Sequence, residues 1–284
     1  MHLLMIVVSL ILAWSIRLYT PLSYIPWTTR WQRSLFCFVF SPLLLLMTAI
    51  AVVVMGCHGK MLGWQSSWYG YLLSIGFLLF TITSIIKLAF QGWRSIQMTN
   101  NYPQKIVEGK TVRLLDTSFP YSAQVGFWNS KLVVSQGLLD TLDKEHLNAV
   151  IAHEEAHTQY RDTFWFVLLG WLGYITPWLP NTNELWQDLL LLREIRADRR
   201  ASQQVDPLLI AESLVLVTKR THTISENITT GIMEATFHDK VISSRLNERI
   251  DALLSESKNQ IITSWKLSCI LLTLSPLILI PFHG

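Results

Sequence analysis

The chain is organised by long runs without charge. Ser34 to Cys57 spans 24 residues and 61–86 another 26; each predicts a helix long enough to cross about 30 Å of hydrocarbon. Leu3 to Ile16 is shorter, has no basic residue ahead of it and no small-x-small cleavage site, and so reads as a retained first helix rather than a signal peptide. Near the other end, Leu267 to Phe282 is apolar apart from small hydroxyls and carries Pro276 and Pro281, which shorten or kink a helix; it is expected to be a terminal anchor. A further run of 21 uncharged residues, Thr163 to Asn183, contains Trp165, Trp171, Trp178, Pro177 and Pro180. By length alone it is another crossing.

Between these runs the period changes. Val112 and Leu114 alternate with polar neighbours, and Ala123 to Trp128 and Lys131 to Ser135 flank Asn129-Ser130, which predicts a small sheet with a tight turn. Asp143 offers an N-cap, and Leu147, Val150 and Ile151 follow at helical spacing. Glu184 to Ala201 reads as a further helix, with Leu185, Leu189, Leu192 and Ile195 on one side and Arg193, Arg196, Arg199 and Arg200 elsewhere. The resulting division is three transmembrane helices in 1–95, a polar catalytic candidate in 96–262 interrupted by an apolar hairpin at 163–183, and an anchor in 263–284.

Composition supports the membrane reading. Half of the residues are hydrophobic (50%), 15% are charged and 12 are Trp, too apolar for an ordinary soluble domain of this length; the tryptophans read as interface anchors and the bilayer as a partner. Lys and Arg fall unevenly between the runs: Arg17, Arg30 and Arg33, then Lys60, then Lys87, Arg94, Lys105, Lys110 and Arg113. That bias predicts that the segment after the third run is cytoplasmic, most simply at a cell inner membrane. The net charge of +3 comes with no basic stripe bearing interleaved aromatics, so nucleic acid is not expected as a partner. Cys37, Cys57 and Cys269 are odd in number and lack CxxC spacing, which excludes a disulfide framework or thiolate metal site. Asn227-Ile228-Thr229 matches a glycosylation acceptor and carries no weight in a cytoplasmic loop.

The candidate chemistry is His153-Glu154-Glu155-Ala156-His157. Positions i and i+4 share a helix face, so the two imidazoles can serve one metal while Glu154 reaches a metal-bound water. A catalytic zinc then needs one more protein ligand and an open position. Glu194, 37 residues beyond His157, is the best candidate, on a helix that runs back after the Pro177 to Pro180 turn. A complete crossing by Thr163 to Asn183 would put Glu194 on the wrong side of the bilayer from His153, so this run is expected to be a hairpin, either dipping into the membrane or packing as a buried lid. Asp198, one turn after Glu194, suits the remaining ring N–H of a ligand histidine, or equally an ion pair with Arg193 or Arg200.

These residues resemble the zinc-peptidase families that pair His-Glu-x-x-His with a downstream Glu-x-x-x-Asp, the BlaR/MecR-like (M56) family and the related HtpX-like (M48) family. The likeness runs over roughly residues 105–254 and includes Val133 to Leu139 and Glu248-Arg249-Ile250. Three apolar helices ahead of a zinc domain look more like the first of these. The resemblance implies a mainly α fold, a multi-pass membrane protein with an HExxH gluzincin-type zinc peptidase domain and a small β-sheet. It implies His153, His157 and Glu194 as Zn2+ ligands, Glu154 as the catalytic acid/base and Asp198 as support. Glu155 departs from the pattern, being an acid where an apolar residue is common. With the chain ending at Gly284 no penicillin-binding sensor is expected, and Ser255-x-x-Lys258 lacks the companion motifs of a serine acyl enzyme.

His238, Arg245 and Arg249 are candidates for stabilising an oxyanion or clamping substrate, against the simpler reading of a solvated face. Asp162 reads as a structural acid, and His58, His146 and His283 as non-functional. The sheet edge around Ala123 to Trp128 either pairs with an extended substrate, as in similar peptidases, or merely packs. The expected function is an integral membrane zinc endopeptidase acting on protein substrates, either a cytoplasmic repressor in regulatory proteolysis or damaged membrane proteins in quality control. The rival is a catalytically inactive membrane scaffold or signalling protein with a vestigial zinc site.

Overall fold

The computed structural model describes residues 2–18, 26–57, 60–61, 64–65, 68–228, 244–255 and 271–282. They form two compact units, one of residues 1–89, 168–189 and 259–284, the other of residues 90–167 and 190–258.

The first unit is helical and apolar. Helices α1 (His2–Leu18) and α2 (Trp27–Met55) pack along their length, with Ala13 fully buried against Leu45 and Leu179. Ser9 Oγ and Thr48 Oγ1 are hydrogen-bonded at 2.8 Å, and Ser41 donates to the Ala13 carbonyl at 3.2 Å, small polar contacts that join the two helices. Strands β1 (Lys60–Met61) and β2 (Trp64–Gln65) form a minimal hairpin before helix α3 (Trp68–Asn100). Of the described helices, α2 and α3 are long and apolar enough to cross a membrane; α1 and α6 (Asp162–Ile175) are apolar but shorter. They differ in cover: 67% of the apolar window of α2 is buried by protein but only 17% of that of α3.

Helix α6 has 14 residues, about 21 Å, which is short of a bilayer's hydrocarbon core. The chain turns at 176–181 and returns as α7 (Thr182–Ala201), with Gly170 against the Trp186 ring. Thr182 Oγ1 donates to the Leu179 carbonyl at 2.8 Å and Arg17 Nη1 lies 3.2 Å from Thr182 Oγ1, satisfying polar groups of this turn. Asp188, buried on α7, is ion-paired to Arg30 and accepts a 2.5 Å hydrogen bond from Ser34. The predicted anchor lies partly outside the described residues. Its described part, 271–282, is a series of short turns including α10 (Ser275–Ile278), in which Leu277, Leu279 and Ile280 pack on Met5, Ala51 and Met55.

The second unit holds a four-stranded sheet of order β3-β4-β6-β5, from Gln104–Val107, Lys110–Leu115, Lys131–Ser135 and Ser122–Val125. Strand β3, absent from the sequence reading, is hairpin-paired to β4 through Glu108 and Gly109, both at positive φ, and a hairpin needs that left-handed backbone. β4 and β6 are parallel and β5 runs antiparallel to β6, Ser122 opposite Val134 and Gln124 opposite Leu132. Central β6 is buried on both faces from Leu132 to Ser135, whereas β5 forms the sheet's edge. Ser135 then caps α4 (Gln136–Thr141), accepting from the Leu138 N–H.

Helix α5 (Lys144–Tyr160) starts at Asp143, whose side chain accepts from the His146 N–H at 3.0 Å. It is sandwiched. Leu147 and Ile151 join Val107, Val112, Val134 and Leu138 under the sheet, while Ala149 and Ala152 face Ala201 of α7, Ile210 and Ala211 of α8 (Pro207–Ile228) and Leu253 of α9 (residues 244–254). The small alanines let neighbouring backbones approach, and the packing buries polar residues of the motif with the apolar ones.

Candidate metal centre

The end of α5, the first residue of α6, the second half of α7 and α9 build the centre. Arg161 terminates α5 in a left-handed conformation (φ 53°, ψ 40°), and the turn brings Asp162, the first residue of α6, back on His157: Asp162 Oδ2 lies 2.7 Å from His157 Nδ1. The other oxygen of Asp162 accepts from Arg196 of α7. One turn back on α5, His153 Nδ1 is 2.7 Å from Asp198 Oδ1, a close contact whose N–H is not lined up for a good hydrogen bond. Asp198 is itself held by Arg249 of α9 through two 2.8 Å hydrogen bonds. Each histidine thus has a buried carboxylate at Nδ1, and each carboxylate an arginine behind it.

That arrangement turns both Nε2 atoms towards each other, 3.1 Å apart. Glu194 completes the cluster, with Oε2 3.3 Å from His153 Nε2 and Oε1 3.7 Å from His157 Nε2. A tetrahedral site with bonds of about 2.0–2.1 Å has ligand–ligand edges of about 3.3–3.4 Å. The donor set fits a zinc ion in chemistry as well as spacing: the Asp162 hydrogen bond at His157 Nδ1, and the nearby charge of Asp198 at His153 Nδ1, favour the tautomer that leaves the Nε2 lone pairs facing inwards. His153, His157 and Glu194 are the residues that would hold it.

The electrostatics fit a cation. Burial disfavours a charged imidazole at His153, yet Asp198 and Glu194 outweigh it and raise its pKa to about 10. His157 is likewise raised, burial being overcome by Asp162 and Glu194. Glu194 is held well below the usual carboxylate range: burial opposes ionisation, but the two histidines and Arg249 prevail. The cluster asks for positive charge, supplied by protons or by a metal. Arg193 also donates to Glu194 Oε1 at 2.8 and 2.9 Å, so an arginine ion pair coexists with the position of Glu194 beside the imidazoles.

Glu154 is buried next to the cluster. Ser122 Oγ donates to its Oε1 at 2.7 Å, and Gln124 Nε2 donates to its backbone carbonyl at 3.2 Å. Residues i and i+2 of a strand face the same way, so edge strand β5 presents both side chains to the motif. A pocket of about 240 Å³ lies here, lined by Ser122, His153, Glu154, Glu194 and Arg249 at its polar side and by Ile210 and Leu214 among the apolar residues beyond.

Of the weaker sequence candidates, Arg249 reaches the centre, with its side chain 16% exposed and Nη1 3.6 Å from Glu194 Oε2. The solvated-face reading fails for it because Asp198 draws the guanidinium inwards. Arg245, half-buried one turn earlier on α9, is outside the pocket lining. His238 lies outside the described residues. Asp198 pairs with Arg249, not with Arg193 or Arg200 as the alternative reading had it. Glu155 faces away to an ion pair with Lys110. Ser122, Gln124 and the role of Asp162 were not read from the sequence; a serine in a strand gives no signal, and the Asp162 contact depends on the left-handed residue before it.

The motif helix, the sheet and the His-His-Glu cluster together place three potential metal ligands beside a buried carboxylate. Residues 110–177 match the model of Peptidase family M48. Over 149 residues the chain is 32% identical to a protein named Protease HtpX homolog from Archaeoglobus fulgidus, an alignment covering 48% of this chain and 42% of that protein. The chain thus spans less than half the length of this curated relative. No solved structure matches the chain. The likeness to M48 peptidases is carried by these matches, whereas the BlaR/MecR-like part of the resemblance rests on the order of apolar helices alone.

Proposed function

We propose that this chain is an integral membrane zinc endopeptidase, multi-pass, with its catalytic centre on the cytoplasmic side. The observation that carries the reading is the convergence of His153 Nε2, His157 Nε2 and a Glu194 oxygen, all within 4.8 Å of one another, beside a buried Glu154. The orientation follows from the excess of Lys and Arg after the third apolar run.

A zinc ion held there would supply a Lewis acid that polarises the scissile carbonyl and brings a coordinated water towards a pKa of about 7. Glu154 accepts a proton from the attacking water and returns it to the leaving amine nitrogen. Ser122 fixes the Glu154 carboxylate by its 2.7 Å hydrogen bond. Asp162 and Asp198 orient the imidazoles, and Arg249 holds Asp198 while its Nη1 stands by Glu194, a positioning role more than a direct contact with substrate. Edge strand β5 takes an extended polypeptide by main-chain pairing, which brings a peptide bond to the pocket without demanding a particular sequence.

The decisive experiment incubates the purified chain and its Glu154→Gln variant with an unfolded membrane protein. Cleavage by the first alone supports the reading. Equal cleavage by both removes Glu154 as the base, and bound zinc with no turnover by either favours the vestigial-site scaffold. Crosslinked partners trapped by Glu154→Gln separate a repressor substrate from damaged membrane proteins.

A further inference from the structure

The second unit carries an aromatic surface that the catalytic reading does not use. At the end of α3, Phe90 and Trp93 pair at 6.0 Å between ring centroids. Between them Gly92 receives the Phe127 ring from the β5–β6 turn, where a Cβ at residue 92 would overlap the ring. The Phe127 carbonyl accepts from Thr163 Oγ1 at 3.3 Å. Trp128, the next residue, meets Phe164 edge-on at 5.4 Å, Phe164 meets Trp165 at 5.2 Å, and Arg161 stacks over Trp128 at 3.7 Å. Phe90, Trp93, Trp128 and Trp165 are each more than half exposed. Single exposed aromatics need no explanation, but a continuous patch drawn from three segments does.

Two segments of the patch say what covers it. On α3, the run without charge ends at Lys87, and Arg94 follows within the patch. On α6, the order is reversed: Arg161 and Asp162 come first, then Trp165 within 21 uncharged residues to Asn183. Both helices change from apolar to charged at the level where the aromatic rings gather. Tryptophan rings with flanking arginines are what the headgroup zone of a bilayer accommodates, the ring taking the apolar side and the guanidinium the phosphates.

We propose that Phe90, Trp93, Trp128, Phe164 and Trp165, with Arg161, seat this unit in the headgroup region of a lipid bilayer. Ser122 is only six residues from Trp128, so β5 and Glu154 lie within about 20 Å of that plane along extended chain. The polypeptides that reach this edge strand are therefore juxtamembrane segments of membrane-anchored proteins. The substrate half of the inference rests on the peptidase reading; the membrane seat does not.

The test places a nitroxide on Asn129→Cys, an exposed turn position, in the full chain with Cys37, Cys57 and Cys269 replaced by alanine. The labelled protein is reconstituted into phosphatidylcholine–phosphatidylglycerol vesicles. Collisions with oxygen should exceed those with a water-soluble nickel chelate, and a label at exposed Lys144→Cys should show the opposite. A label at Asn129 as nickel-accessible as that at Lys144 overturns the seat, whatever the turnover. So does spin–spin broadening that dilution with unlabelled protein removes, since a second copy then covers the patch. For the substrate, Trp93→Ser/Trp165→Ser should slow cleavage of a peptide linked to a membrane helix by about tenfold or more, leaving the same peptide free in solution cut as before. Equal slowing of both overturns the juxtamembrane preference. A buried label in a protein that cuts nothing upholds the seat and removes the peptidase reading alone.

Discussion

Glu154 and the three candidate ligands divide chemistry from binding. Glu154→Gln keeps every metal donor, so zinc content should be unchanged while kcat/KM falls by about 10²–10⁴-fold; unchanged turnover would leave the base unassigned. Asp162→Asn and Asp198→Asn act one contact further out and should each weaken zinc binding by about 10–100-fold, measured by competition with a chromophoric chelator. The pH dependence follows from the raised histidines. Protons on His153 and His157 compete with the metal, and both pKa values lie above that of free imidazole, His153 at about 10. Apparent zinc affinity should therefore decline as pH falls through the neutral range, not only below about pH 6 as an unperturbed imidazole would give, with protons released on binding. Calorimetry in two buffers of different ionisation enthalpy counts them. A flat affinity from about pH 8 to about pH 6 would contradict the assigned ligands. His153, Glu154 and His157 were legible as residues because i, i+4 spacing is itself geometry. Glu194 was legible through its distance along a returning helix. Ser122 was not, because its contact exists only once β5 lies across α5.

At the scale of elements, α5 shows both what pattern reveals and what it hides. Its cap at Asp143 and its apolar spacing up to the motif were readable, as was the pairing of β5 with β6, although β5 ends at Val125 and leaves Phe127 and Trp128 in the turn, not in the strand. The alanine face of residues 149 and 152 was not, since alanine is at home on any helix face. That face makes a prediction. Ala152 is buried in one cluster with Ala201, Ile210 and Ala211, and Ala152→Leu, which must displace these neighbours, should destabilise the unit by about 1–3 kcal/mol, seen as a lower thermal midpoint in detergent. Strand β3 was missed because Gln104 and Lys105 are exposed and polar. Its hydrogen bonds to β4, more than its side chains, make it a strand.

At the scale of the molecule, apolar runs predicted helices well but could not tell a helix covered by protein from one left uncovered. α2 and α3 have similar runs, yet α2 is mostly buried and α3 is not. The run from Thr163 needed the metal geometry to be read as a turn and return, because length alone predicted a crossing. Most apolar side chains of α3 would face water in a soluble protein, at about 25 cal/mol per Å². The chain should accordingly stay with membranes in alkaline carbonate and be released by detergent; release by carbonate alone would argue against integration.

Each imidazole in the centre is backed by an acid, and each acid by a guanidinium. Such a cradle is already balanced with two protons in place of a dication, so chelation should leave the protein folded, not collapsed. Cobalt offered to the stripped protein should enter without refolding and give the intense visible absorption of a four-coordinate ion, an optical report on the cradle that needs no substrate.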